Sequence, residues 1–143
     1  MKRILVPCDG SPSALRAVRH VATEAAAGAA ASAEIELLHV IAPMTAVTLA
    51  EAFSAHSLDD RFPPQAAQAL EPAAAILAGA GLRYTLHCRF GDPAAEIAAQ
   101  ARESGCGAIV MGTRGHGALA SLVVGSVATR VVHLAEVPVT LVK

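Results

Sequence analysis

Tryptophan is absent from these 143 residues, and one tyrosine and three phenylalanines make up the whole aromatic complement. Single-stranded nucleic acid is gripped by aromatic platforms along a cationic groove. So few rings, with a formal net charge of −1 and no basic stripe, exclude that class of partner. Charge of either sign is sparse at 16%, while hydrophobic residues reach 54%, far from a disordered composition. Much of that excess is alanine, so helices can pack closely through small side chains. Three cysteines, Cys8, Cys88 and Cys106, are too scattered for a disulfide framework and lack zinc-ligand spacing. They read as buried thiols in a reducing compartment. Long apolar runs are missing too. Ile4-Leu5-Val6 after Met1-Lys2-Arg3 starts like a signal peptide, but Pro7 and Asp9 cut it short, and nothing approaches the roughly 18 apolar residues of a membrane span. The expectation is a cytoplasmic protein.

What is present fits one domain over residues 1–143. Arg3 to Pro7 is an apolar run suited to a strand buried on both faces. Ser11 reads as a helix N-cap with Pro12 at the first helical position, and Gly28 as the stop. Glu34 to Ile41 is a second buried strand. Residues 42 to 64 form a long connection, expected to be a mobile flap with a short helix over Thr48 to Phe53. Gln65 to Ala80 is helical, and Pro72 is expected to kink it or open a new first turn. Leu82 to Phe90 alternates like an edge strand with one wetter face. Asp92-Pro93 repeats the cap pattern before a helix whose inner face is Ile97, Ala98 and Ala101. Ala108 to Met111 is another buried strand, Val127 to Leu134 a helix, and Val137 to Val142 the last strand. Strands alternating with helices predict an α/β open parallel sheet with helices on both faces. Ligands bind such sheets beyond the carboxyl ends of the strands, where the strand order reverses. If the first and fourth strands are neighbours, Asp9 and Gly112 face one pocket.

The densest glycine run is Gly112-Thr113-Arg114-Gly115-His116-Gly117, continuing to Gly125-Ser126. A strand, a glycine loop and a helix start place backbone N–H groups where an anion can sit. No Gly-Lys pair exists for a Walker A loop, and no G-x-S-x-G elbow for a hydrolase. Gly115 to Ala120 satisfies the dinucleotide pattern G-x-G-x-x-A, but it follows the fourth strand rather than the first, and that reading is rejected. A metal site from Cys8, Asp9 and His116 fits no recognised spacing. His39 reads as a satisfied core histidine.

The wider pattern of Gly112, two residues, Gly115, nine residues and Gly125-Ser126 resembles the universal stress protein family in its ATP-binding branch. The first eleven residues, Met1 to Ser11, and Val137-Pro138-Val139 extend the resemblance over the whole chain. It implies a Rossmann-like five-stranded sheet of order 3-2-1-4-5 and a homodimer through the C-terminal edge strand. By the same resemblance Pro7, Cys8 and Asp9 lie along the adenine and ribose, and Val40 contacts the base. Met111 and Gly112 flank the nucleotide, the backbone of Arg114 and Gly115 lies near the phosphates, and Gly125, Ser126 and Val127 hold the phosphate tail. The implied ligand is ATP, with AMP or ADP as alternatives and Mg bridged by Asp9. Two departures stand out: Cys8 replaces a more usual valine or threonine, and Ala128 a hydroxyl. The implied role is a sensor or regulator of the stress response. No general base stands beside the phosphates except Asp9 and His116, so a high-turnover enzyme is not expected. A slow ATPase or adenylate-transferring enzyme, and a nucleotide-free interaction module, remain as alternatives.

Overall fold

The computed structural model describes residues 2–43, 62–114 and 124–143. Five strands and four helices alternate among them: β1 (Arg3–Pro7), α1 (Pro12–Ala26), β2 (Glu34–Ile41), α2 (Pro64–Gly79), β3 (Tyr84–Phe90), α3 (Pro93–Glu103), β4 (Ala108–Gly112), α4 (Ser126–Leu134) and β5 (Val139–Val142). Every pairing is parallel and the strand order is β3-β2-β1-β4-β5. The expected flap and short helix within residues 42 to 64 fall largely outside the described residues.

The apolar runs of β1, β2 and β4 are buried because helices cover both faces of the sheet. Residues of opposite parity feed opposite cores. Ile4, Val6, Ile35 and Leu37 pack against Val18 and Val21 of α1 and Leu70 and Leu77 of α2. Leu5, Leu38, Ile109 and Met111 pack against Ile97 and Ala101 of α3 and Val131 of α4. The chain changes face between β3 and β4, so the order reverses between β1 and β4.

Local chemistry sets the element ends. The Ser11 hydroxyl accepts the Ala14 N–H at 3.2 Å, and Asp92 accepts the Ala95 N–H at 3.0 Å, each before a proline at the first helical position. Leu82 does not start β3, because its N–H goes to the Leu77 carbonyl at the end of α2. Pairing of β5 likewise begins at Val139 and not at Val137. Pro72 neither breaks α2 nor starts a new turn: it lies inside one helix, on an exposed position where the carbonyl it strands can turn to water.

The wetter face of β3 is not left to solvent. Arg89 reaches α3, with Nε 2.6 Å from Glu96 and Nη1 2.7 Å from Glu103. Those contacts raise the Arg89 pKa and hold Glu103 below its ordinary value. Glu36 is buried on β2 and accepts from Gln100 Nε2 at 3.1 Å, with Arg3 Nε at 3.6 Å and His87 Nε2 at 3.4 Å. A carboxylate survives there because donors from β1, β3 and α3 converge on it.

Candidate nucleotide site

Adjacency of β1 and β4 brings the two ends of the sequence motif to one place. β1 exits into a turn in which the Ser11 N–H donates to Asp9 Oδ1 at 2.9 Å. Gly10 stands between them at φ 82°, a region a side chain would disfavour. That bond turns the Asp9 carboxylate back over the start of α1. Asp9 therefore caps this turn, whatever else its carboxylate does.

Gly112 ends β4 and is glycine for a steric reason. A Cβ built on it would lie 2.3 Å from Ser13 Oγ, 2.6 Å from the Ser13 carbonyl oxygen and 2.7 Å from its carbon. The first turn of α1 thus rests directly on the β4 backbone. From that position the buried Ser13 hydroxyl accepts the Arg114 N–H at 3.2 Å. One residue earlier, the Thr113 N–H donates to the Val142 carbonyl at 3.2 Å, and the Thr113 carbonyl accepts the Gly125 N–H at 2.6 Å. The last bond pinches the base of the glycine loop and sets the start of α4 beside the end of β4. Gly115 and His116 lie outside the described residues.

The N-terminus of α4 differs from those of α1 and α3. Its N-cap is Gly125, in extended conformation, with no side-chain cap. Ser126 is the first helical residue, so the helix starts one residue before the expected Val127: Gly125, pinned to Thr113, takes the cap position. The first turn presents the N–H groups of Ser126, Val127 and Ala128, and the Thr129 N–H is the first to find an intrahelical acceptor, at Gly125. Donors with no intrahelical acceptor and the helix dipole together favour an anion. Arg130 Nη1 ties this helix to α3 through Asp92 Oδ1 at 2.6 Å, which keeps the Asp92 carboxyl below its usual pKa.

Cys8 does not enter the site as a thiol. Its side chain joins Ile4 and Val6 in the core beneath α1, and Sγ lies 3.5 Å from the Val6 carbonyl. Burial, and then the neighbouring Asp9 charge, push its pKa up to about 12. Only its main chain remains at the strand end. Among the described residues no group of three His, Cys, Asp or Glu side chains is placed to hold a metal ion.

The Universal stress protein family model matches residues 1–143. The chain belongs to this family. Universal stress protein MJ0531 of Methanocaldococcus jannaschii is 30% identical over 142 residues, covering 99% of this chain and 82% of its own. Universal stress protein YxiE of Bacillus subtilis is 30% identical over 151 residues, covering 99% and 98%. The universal stress protein of Archaeoglobus fulgidus solved in complex with dAMP superposes with a TM-score of 0.72 at 25% identity, covering 100% of this chain and 98% of that one. The strand order expected from the resemblance is the order observed.

Within this family fold, Pro7 ends β1 and Cys8 and Asp9 follow it, Val40 lies near the end of β2, and Met111 and Gly112 end β4. Arg114, Gly125, Ser126 and Val127 flank the pinched loop. All sit at the carboxyl edge of three adjacent strands. Met111 is buried among Leu5, Ile109 and Val131, so its side chain is part of the floor. Sequence reasoning missed Ser13 and Thr113. A serine in a first helical turn reads as capping, and its true partner appears only once α1 is laid on β4. His39 was read as satisfied, but only half of it is: Nδ1 bonds the Cys8 carbonyl at 2.8 Å, while Nε2 has no partner among the described residues.

Proposed function

We propose that this protein binds an adenine nucleotide across the ends of β2, β1 and β4, with ATP as the physiological ligand. The observation that carries the reading is the uncapped start of α4, pinned through Gly125 beside the strand ends. In this reading the N–H groups of Ser126 and Val127 and the Ser126 hydroxyl hold the phosphates, and Gly125 lets them approach. The backbone of Arg114 and Gly115 lines the phosphate path, and Met111 and Gly112 form its floor. Asp9 faces the ribose and bridges Mg, and Val40 meets the base with the main chain of Pro7 and Cys8 alongside. The A. fulgidus relative with bound dAMP supports the ligand class. No helix among the described residues is long and apolar enough to cross a membrane. The protein acts in the cytoplasm as a regulator of the stress response. Its half-buried β5, with Val139, Leu141 and Val142, pairs with a second copy about a two-fold axis. Sedimentation showing only monomer at micromolar concentration would remove the dimer from this reading.

Ser126→Pro gives a clean test. Proline suits the first helical position, and the extended Gly125 before it is compatible with a following proline. The variant keeps the helix and deletes one N–H and one hydroxyl. Calorimetric titration with ATP should show affinity reduced about tenfold or more, as for loss of hydrogen bonds to a charged group. Heatless titrations of the unaltered protein with ATP, ADP and AMP, and no thermal shift, would reject the reading. Steady ADP or AMP release lost on Asp9→Ala would instead favour an enzyme.

A further inference from the structure

On β2 the inward positions Ile35, Leu37 and Ile41 carry aliphatic side chains that are essentially fully buried, and the position between the last two carries His39, 6% exposed. A carbonyl oxygen only accepts, so the 2.8 Å contact with Cys8 places a proton on Nδ1, and in the neutral ring Nε2 is then a bare acceptor. That Nε2 is buried without a partner among the described residues. A leucine would fill the space with no stranded nitrogen, so packing alone does not account for a histidine here.

The effect of the Nδ1 bond on the strand ladder does account for it. In a parallel pair, alternate residues of a strand face the same neighbour. Leu38 faces β1, and its carbonyl accepts the Cys8 N–H at 2.7 Å. The next residue of β2 to face β1 is Val40, and in a continued ladder its N–H would go to the Cys8 carbonyl. That oxygen is the one His39 holds. The β1–β2 register accordingly ends at Pro7–Leu38, while β2 stays in register with β3 through Val40–Arg89 to Ile41–Phe90. The N–H and C=O of half-buried Val40 are left turned toward the space over the end of β1.

We propose that His39 is a positioning residue for the nucleotide. By holding the Cys8 carbonyl it stops β1 from zipping onto β2 at Val40, and so keeps the Val40 main chain open to the base. The inference rests on the nucleotide site proposed above and adds a residue that does not touch the ligand. Its recognition target is a base edge carrying a hydrogen-bond acceptor next to a donor, as an aminopurine does.

The test compares ATP binding by calorimetry and the thermal midpoint for the full chain and three variants. In His39→Asn the side-chain amide nitrogen takes the place of Nδ1, and binding should stay close to that of the unaltered protein. His39→Leu removes the donor and the stranded acceptor together, so the fold holds while affinity falls about tenfold. His39→Gln sets its amide near the Nε2 position, and its affinity should fall like that of the leucine variant; it carries the test if His39→Leu does not fold. Nitrogen chemical shifts of the His39 ring should report Nδ1 protonated. Leucine and glutamine variants that bind as tightly as the unaltered protein would overturn the inference alone, as would an asparagine variant as weak as leucine or a ring with no proton on Nδ1. Absence of ATP binding by the unaltered protein would instead overturn the site on which it rests.

Discussion

Replacing Gly112 with alanine tests the contact on which the site is built. The new methyl would sit 2.3 Å from Ser13 Oγ, 2.6 Å from the Ser13 carbonyl oxygen and 2.7 Å from its carbon. A rotamer change can relieve only the first of these. The other two are backbone atoms in the first turn of α1, which Ser11 caps and which Ala14, Ala17 and Val18 root in the core. The helix must therefore back away from β4 by most of an ångström, opening the core on one side. Overpacking of this kind costs about 1–3 kcal/mol. Losing the bond between Ser13 Oγ and the Arg114 N–H adds about 1 kcal/mol. The sum of about 2–4 kcal/mol corresponds to a fall in thermal midpoint of roughly 6–15 °C for a chain of this size. Circular dichroism melts and urea titrations would read it. Gly107→Ala is the control, since its nearest atom, the Arg3 carbonyl oxygen, would be in ordinary contact at 3.9 Å. Adding Ser13→Ala to Gly112→Ala should rescue little, because the backbone clashes remain. A Gly112→Ala midpoint within a degree or two of the unaltered protein, or full rescue by Ser13→Ala, would refute the argument.

Two further predictions concern buried polar groups. Gln100→Leu strips the buried Glu36 carboxylate of one of its donors, at 3.1 Å, and should cost about 1–3 kcal/mol by urea titration. Adding Glu36→Leu should recover part of that loss, and strict additivity would show that the two side chains do not act as a pair. Among the thiols, half-buried Cys88 should alkylate first in the native protein at pH 8. Cys8, raised from 9.0 to about 12, has roughly a thousandfold less thiolate than an unshifted thiol. A raised thiol pKa means that the folded chain keeps a proton the unfolded chain releases. The stability tied to Cys8 is therefore whole below about pH 9 and is lost as pH climbs toward about 12. A urea midpoint for the unaltered protein that holds level over that range, set against one for Cys8→Ala, would contradict it.

The elements that sequence reasoning located well are those whose signals are local. Ser11-Pro12 and Asp92-Pro93 start helices because a short polar side chain and a proline act within one turn. The alternation of β3 marks an edge strand because one face meets a core and the other meets charges. What escaped depends on contacts between residues far apart in the chain. Arg114 and Ser13 are 101 positions apart, and His39 and Cys8 are 31 apart. Neither bond can be inferred before β1 is known to lie between β2 and β4. Glu36 was passed over inside an apolar run because its partners come from three other elements. The alternation rule does put the Cys8 thiol on the same face as Ile4 and Val6, so that placement was available from the strand register alone. The resemblance drew attention to the residue as a ligand contact and hid the simpler point. The last helix starts one residue before Val127 because Gly125, whose N–H goes to the Thr113 carbonyl, takes the cap position.

That bond between Gly125 and Thr113 has a consequence for how the chain can be altered. It fixes the two ends of the glycine loop to each other, so the start of α4 no longer depends on what connects them. Closing a loop twice as long costs only about 0.6 kcal/mol more. A change in the length of the connection between Arg114 and Val124 should therefore leave the helix N-terminus beside β1 and β4, and its effect should fall on the nucleotide and not on the fold. The spacing of nine residues from Gly115 to Gly125-Ser126 is then a requirement of the proposed phosphate contacts and not of the fold.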